Sequence, residues 1–309
     1  MLQTKRWVVL ALTALLTTSC NKLKAQSDAA NPTTSPAETA LATINSIAND
    51  SEGINFTLAG ENNEFTPDFA VIPAENLMKP ACKAQSAKSD CNSSNQVSVI
   101  WGECSAANGS TLSGGWTNTY SSTNACLRGK VGPLASGDSV TRTSSGMSID
   151  GVYGGRVTWS TELHTAYDGT TISNAGITIS KINDTRMIQI AGLHRILENG
   201  SGQKIYDHSI KGLSQLNMTG ARSNGTRVLN NGTVRVFNNL QSLQSDLTFS
   251  DLEWRKAACC YPTAGTITTV TSGATKYEST TIRFDRTQCG QASLEGGGKS
   301  TLITLQQCE

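Results

Sequence analysis

Two acidic side chains and a pair of histidines are the residues whose types and spacing allow chemistry in this chain. Asp251 and Glu253, in the run Ser250-Asp251-Leu252-Glu253-Trp254-Arg255, share one face of a strand at about 6.5–7 Å. Paired carboxyls at such a separation can do the general acid and base work of glycoside hydrolysis. Acidic pairs on strands are more often plain solvated faces. A turn centred on Ser201 sets His194 opposite His208 on antiparallel strands, with Cβ atoms about 5 Å apart and able to share a metal. In that register Asp207 alternates to the other face, which leaves no third ligand and favours polar surface or an interstrand hydrogen bond. Trp101, Trp116, Trp159 and Trp254 stack sugars if exposed and plug a core if buried. With aromatics at only 6% of the chain, the core has first claim on them.

Other catalytic signatures are absent. The chain has no HExxH, no GxSxG and no EF-hand loop. Gly296-Gly297-Gly298-Lys299-Ser300 lacks the first glycine of a phosphate loop at the required spacing and reads as a hairpin turn. Without a nucleophile, base and orienter set, the expectation is a non-enzymatic protein with no catalytic residues, no metal and no cofactor. Lys plus Arg number 25 and Asp plus Glu 24, a net charge of +1, so no field steers nucleic acid to it.

The N-terminus carries a targeting signal. Lys5 and Arg6 precede an apolar run from Trp7 to Leu16, and Leu15, Leu16, Thr17, Thr18 and Ser19 lead to Cys20. A basic segment followed by a short apolar core and small residues is a secretory signal, since the core is too short to span a bilayer. The cysteine after the small residues resembles the lipobox of bacterial lipoproteins, although Thr17 stands where that family usually has Leu. The resemblance implies a signal peptide over 1–19 and a diacylated, palmitate-type anchor on Cys20. Asn21, in place of an inner-membrane retention Asp, points to the outer membrane.

An exported chain is free to form disulfides. Nine cysteines are present. Apart from Cys20 they are Cys82, Cys91, Cys104, Cys126, Cys259, Cys260, Cys289 and Cys308, an even set with no CxxC spacing for zinc. Eight cysteines allow 105 connectivities. Proximity in sequence favours Cys82 with Cys91, Cys104 with Cys126, and the last four among themselves. Adjacent cysteines on a strand point to opposite faces, so Cys260 is assigned to Cys289 and Cys259 to Cys308, with the swapped pairing close behind.

The elements that must position these residues are strands. Residues 20–50, rich in Ala, Thr, Ser and Asn with Pro32 and Pro36, read as a flexible tether. An irregular segment over 51–95 allows one short helix, Ala74 to Lys79. From 96 to 309 the period is two: Val157, Trp159, Thr161 and Leu163 alternate with Arg156, Thr158, Ser160 and Glu162. Turn residues punctuate these runs at Asp168-Gly169, Asn199-Gly200-Ser201-Gly202, Ser272-Gly273 and Glu295-Gly296-Gly297-Gly298. Asn231-Gly232 is the strongest hairpin signal, because both positions tolerate positive φ. The expected fold is all-β, an elongated twisted antiparallel meander of consecutive hairpins, with a β-sandwich as the alternative.

The C-terminal run Cys259-Cys260-Tyr261-Pro262-Thr263-Ala264-Gly265, with Ile282-Arg283-Phe284 and Cys289-Gly290, resembles the ends of uncharacterised β-rich bacterial envelope lipoproteins, which implies a fold type and no activity. The reading is an envelope-anchored lipoprotein, membrane-bound through its lipid, serving as a structural or binding module for glycan or an envelope protein. Its rivals are a glycan hydrolase using Asp251 and Glu253 and a lipid-handling protein with a β-groove. Mass spectrometry of the membrane fraction is expected to find an acylated peptide beginning at Cys20; a soluble, unacylated mature form from wild-type cells overturns the anchor.

Overall fold

The structure is a computed structural model. It describes residues 90–105, 111–129, 133–150, 155–221, 225–255, 261–273, 278–286 and 288–305, with 86–88 and most of 36–44. Cys20, Cys82, Cys259, Cys260, Cys308, the side chain of Cys104 and the expected helix from Ala74 to Lys79 lie outside the described residues.

The period-two segments form strands, and nearly all of them join one 16-stranded antiparallel sheet. A first meander runs through β1 (Ser86–Lys88), β2 (Gln96–Ser105), β3 (Thr111–Tyr120), β4 (Ser139–Asp150) and β5 (Arg156–Ser160). A small separate ribbon follows, β6 (His164–Thr165) and β7 (Thr171–Ile172). Next come β8 (Ile177–Ile182), β9 (Thr185–Ile190), β10 (Leu193–Glu198), β11 (Lys204–Gly212) and β12 (Leu216–Gly220). A second meander closes the chain with β13 (Thr226–Asn238), β14 (Leu243–Arg255), β15 (Ala264–Gly273), β16 (Glu278–Arg283), β17 (Gln291–Gly296) and β18 (Lys299–Thr304).

The sheet forks at β4 and rejoins at β13. Along one edge β4 pairs with β3 over nearly its whole length. Along the other, Met147–Asp150 pairs with β5 while Ser139–Arg142 pairs with β8. Likewise β13 pairs fully with β14 on one side, but gives Val234–Asn238 to β11 and Arg227–Asn231 to β12 on the other. The branches β5-β10-β11 and β8-β9-β12 therefore close a hydrogen-bonded circuit between the two long strands.

A strand can serve two diverging neighbours only if it bends, and each bend carries a glycine with positive φ: Gly146 at 146° and Gly232 at 141°. Asn231-Gly232 is therefore a kink inside β13 and not the hairpin that the dipeptide announces. Its tolerance of positive φ is used, but to bend a strand where a turn was expected. The peptide groups left between branches are taken up by the chain leaving each branch. Thr161 donates its N–H to the Ser144 carbonyl at 2.8 Å, and Ser144 donates its own to Thr161 Oγ1 at 2.8 Å. At the other fork Thr233 donates to Ser214 Oγ at 2.9 Å, and its carbonyl accepts from Leu213 at 2.9 Å. Both forks thus meet the requirement that buried peptide groups be paired.

Alternation decides which face is core. In β5, Val157 and Trp159 are buried and their neighbours are not; in β10, Leu193 and Arg195 play the same part. These side chains join Ile210, Val234, Val236, Leu247, Phe249 and Trp254 in one core cluster, with the Arg195 guanidinium buried beside it. The described residues of helix α1, between 36 and 44, join it too, with Ala37 and Ile44 at 0% exposure. Ala37, Ala40, Leu41 and Ile44 stand at i, i+3, i+4 and i+7, an apolar helical stripe inside the segment that composition marks as tether.

Helix α2 (Thr123–Gly129) sits between β3 and β4, its N-terminus capped by the Ser122 hydroxyl on Ala125 N–H at 3.1 Å. It carries Cys126, which is bonded to Cys91 with Cα atoms 6.1 Å apart. This overturns the pairing by sequence proximity, which gave Cys91 to Cys82 and Cys126 to Cys104. The Asn95 turn lies against α2, its carbonyl accepting from Tyr120 and its side chain from Thr123, so tertiary contact and not sequence separation selects the partner. Cys289 is disulfide-bonded as well.

A methyl group on Gly232 would lie 2.3 Å from Leu216 Cδ2 and 2.9 Å from its Cα, whereas one on Gly169, at φ 87°, would meet nothing within 4 Å. Gly232→Ala should therefore cost about 3 kcal/mol or more, from backbone strain and overpacking together, and Gly169→Ala about 1–2 kcal/mol from strain alone. Urea midpoints of the two variants check this, and equal losses refute it.

Candidate binding groove and histidine cluster

The two forks differ in what fills them. Leu216 closes the one at Gly232, while the one at Gly146 is open: a methyl group there would meet nothing within 4 Å. Beside it lies a groove of about 760 Å³. β2 contributes Ser98 and Ile100, β3 Gly114 to Thr117, and β4 Thr143 to Ser145. The opposite wall is Thr161, Glu162 and Leu163, entering the β6–β7 ribbon, and Asn174, leaving it. Gly114 must be glycine, since a Cβ would stand 1.9 Å from the Gly146 carbonyl oxygen. Ile100 and Leu163 are 56% and 63% exposed, so the groove carries apolar surface among hydroxyls. Ser98 and Thr117 hydroxyls pair across the strands at 3.0 Å, and Ser144 Oγ donates to the Gly115 carbonyl at 2.6 Å. Among the described residues Glu162 is the only charged side chain in this lining.

The ribbon that supplies one wall folds back over the outer face of β10 and β11. Ala166 and Ile172 cover Phe237 on β13, a second small apolar cluster. Gly192 admits the returning chain: a Cβ there would lie 2.2 Å from the Ser173 carbonyl oxygen. This approach stacks His164 on His194, ring centroids 4.4 Å apart and 14° from parallel.

The hydrogen bonds around the stack assign its protons. His164 Nδ1 donates to the Glu162 carbonyl at 2.9 Å, so its Nε2 accepts from the Ser209 hydroxyl at 2.9 Å. Asn239 Nδ2 donates to both Ser209 Oγ and Asp207 Oδ1, and His194 Nε2 donates to Asp207 Oδ1 at 2.7 Å. Lys204 Nζ reaches Asp207 Oδ2 at 2.7 Å. Burial pushes the Asp207 carboxyl up, but hydrogen bonds from His194, Asn239 and Lys204 outweigh it and hold the group well below the ordinary carboxylate range. His164 is pulled below the usual imidazole value, first by burial and then by His194, against its bond to the Glu162 carbonyl and the pull of Asp207.

A serine hydroxyl on the basic nitrogen of a histidine has the form of an activated nucleophile. Ser209 is fully buried, however, and nothing outside can reach it. The network holds the ribbon down. Among the described residues no group of three or more His, Cys, Asp or Glu is placed to hold a metal.

The pairing foreseen for His194 and His208 does not occur. A bulge between Leu197 and Glu198 shifts the register by one residue, so His208 faces Arg195 and His194 faces Ser209. The two histidines consequently lie on opposite faces, and Asp207, expected on the far face, joins His194. Asp251 is exposed with φ 50°, opposite Gly265 at a bulge, and Glu253 accepts from Arg255 Nε at 2.6 Å. The described groove includes neither carboxylate. Trp116, Trp159 and Trp254 are buried in the core. Gly297 and Gly298 form the turn between β17 and β18, both with positive φ.

Sequence reasoning passes over His164, Ser209, Asn239 and the groove. Position along the chain does not relate residues brought together by a returning ribbon, and only the Asp168-Gly169 turn hints at it. Comparison of the chain with family models, curated proteins and solved structures finds no match.

His208 is at 0% exposure on the core side, where its Nδ1 shares a hydrogen with Thr39 Oγ1 of α1 at 2.9 Å. Burial, reinforced by the Arg195 cation, pulls its pKa down to about 3. Above pH ~6.5 both folded and unfolded chains hold it neutral. Between pH ~6.5 and about 3 only the unfolded chain takes the proton, so stability falls as pH falls, by up to about 1.4 kcal/mol per pH unit. Urea titrations are expected to show about 2 kcal/mol lost from pH ~6.5 to ~5.0, and a shallower slope in His208→Gln; an unchanged slope in the variant refutes the assignment.

Proposed function

We propose that this chain is an envelope-anchored, non-enzymatic binding module, tethered through Cys20 and presenting the groove at its first fork to a neutral glycan. One observation carries the reading: of two similar forks, one is packed by Leu216 and the other is left as an open groove walled by hydroxyls. Hydroxyls donate and accept at once, as sugar hydroxyls do, and the exposed Ile100 and Leu163 suit the apolar C–H faces of a sugar ring. Among the described residues the lining offers a single carboxylate and no cation, which disfavours phosphate and other anions. A site of a few hundred cubic ångströms with apolar surface and a few placed polar groups is the usual form of a ligand pocket.

Calorimetry with neutral cell-wall oligosaccharides tests the idea. Wild-type protein is expected to bind, and Thr143→Arg and Leu163→Asp to weaken binding at least tenfold with unchanged urea midpoints. No binding by wild type, or undiminished binding in both variants, overturns it.

A further inference from the structure

We propose that the stacked pair His164 and His194 is an acid-released clasp, which sets the groove wall from Thr161 to Asn174 at neutral pH and frees it as pH falls. This rests on the glycan-groove reading for its purpose, though not for its mechanics.

The geometry gives the clasp its reach. Residues that line the groove flank the ribbon at both ends, Thr161 to Leu163 before β6 and Asn174 after β7. The ribbon itself is slight, with two-residue strands pinned by the bonds from His164 to Ser209 and from Tyr167 N–H to Asn239 Oδ1. Releasing it leaves the groove without one wall and uncovers Phe237.

Protonation works against the clasp in two ways. His164 Nε2 now accepts from Ser209; once protonated it must donate, and the buried Ser209 hydroxyl, which already accepts from Asn239, has to find another acceptor for its own hydrogen. A charged His164 also lies face to face with His194, which is itself held to Asp207. The titratable and charged groups facing the ring are His194 on β10 and Asp207 on β11, with Lys204 bound to Asp207; on the ribbon, Tyr167 and Asp168 stand near Arg235 of β13. Asp207 favours the proton on His164, but it is already shared among His194, Lys204 and Asn239, and the balance lowers His164 below its ordinary value. A freed histidine titrates near pH ~6.5. Clasping therefore weakens as pH falls through that value, by up to about tenfold per pH unit until the clasped form itself takes the proton.

Hydrogen exchange of the full chain at pH ~7.5 and ~5.0, corrected for intrinsic rates, reads the clasp directly. The protection of amides 164–172 at pH ~5.0, as a ratio to its own value at pH ~7.5, should be about one tenth in wild type and near one in His164→Gln, whose amide retains a donor and an acceptor without titrating. His194→Gln, which removes the facing imidazole, should reduce the fall. A wild-type ratio near one, or the same acid loss in both variants, overturns the clasp; should His164→Gln not fold, the wild-type and His194→Gln ratios still decide. If acid opening is seen and no oligosaccharide binds at either pH, the groove reading fails and the clasp stands. Oligosaccharide binding with flat exchange ratios overturns the clasp and leaves the groove reading in place.

Discussion

The hydrogen bonds that close the two forks are the constraint on which the rest of this molecule depends. A β-strand has one donor and acceptor row per edge, so a strand shared between two branches leaves peptide groups stranded where the branches part. Here Ser144 is satisfied by Thr161 and Thr233 by Ser214. These bonds, with the bends at Gly146 and Gly232, let the two branches part and rejoin, so that strands of both contribute to one core cluster. The same bonds fix where the chain leaves β5, and hence where the β6–β7 ribbon begins. Groove, ribbon and histidine stack are all downstream of the Ser144 to Thr161 exchange.

Much of this is legible in the residues. Alternation locates the strands, the glycine pairs mark the turns at Asp168-Gly169, Asn199 to Gly202 and Gly297-Gly298, and scarce aromatics foretell that Trp116, Trp159 and Trp254 are spent on the core. What escapes has common causes. The bulge after Leu197 is a one-residue event, yet it exchanges the faces of every side chain beyond it, and no local pattern separates it from a regular hairpin. Asn231-Gly232 satisfies the requirements of a turn and of a kink equally well. Cys91 finds Cys126 because a turn and a helix meet in space. The α1 stripe of Ala37, Ala40, Leu41 and Ile44 is readable, but small residues and two prolines nearby mask its period.

Two neighbouring ionisable groups of this fold are each held in one protonation state by their surroundings. On the outer face, Asp207 stays ionised because three donors converge on it; on the core face, His208 stays neutral beside Thr39 and the Arg195 cation. Two adjacent residues of one strand thus hold opposite electrostatic states, separated by little more than the thickness of the sheet. Such arrangements are costly to break, since a buried group that loses its partner retains its desolvation penalty.

Burial of α1 also bears on how the body would hang from the anchor proposed at Cys20. Only the stretch from Cys20 to Pro36 separates that cysteine from a helix seated in the core, and a chain of that length cannot exceed about 55 Å even when fully drawn out. An anchored body rides close to the bilayer, at roughly half the distance that a linker running to Asp50 would permit. Were Cys20 to carry a lipid, a load applied through it would bear on α1, whose described residues are buried in the core, and on its contact with His208. Such a leash would be fastened to the interior of the protein, where tension and unfolding act on the same few residues.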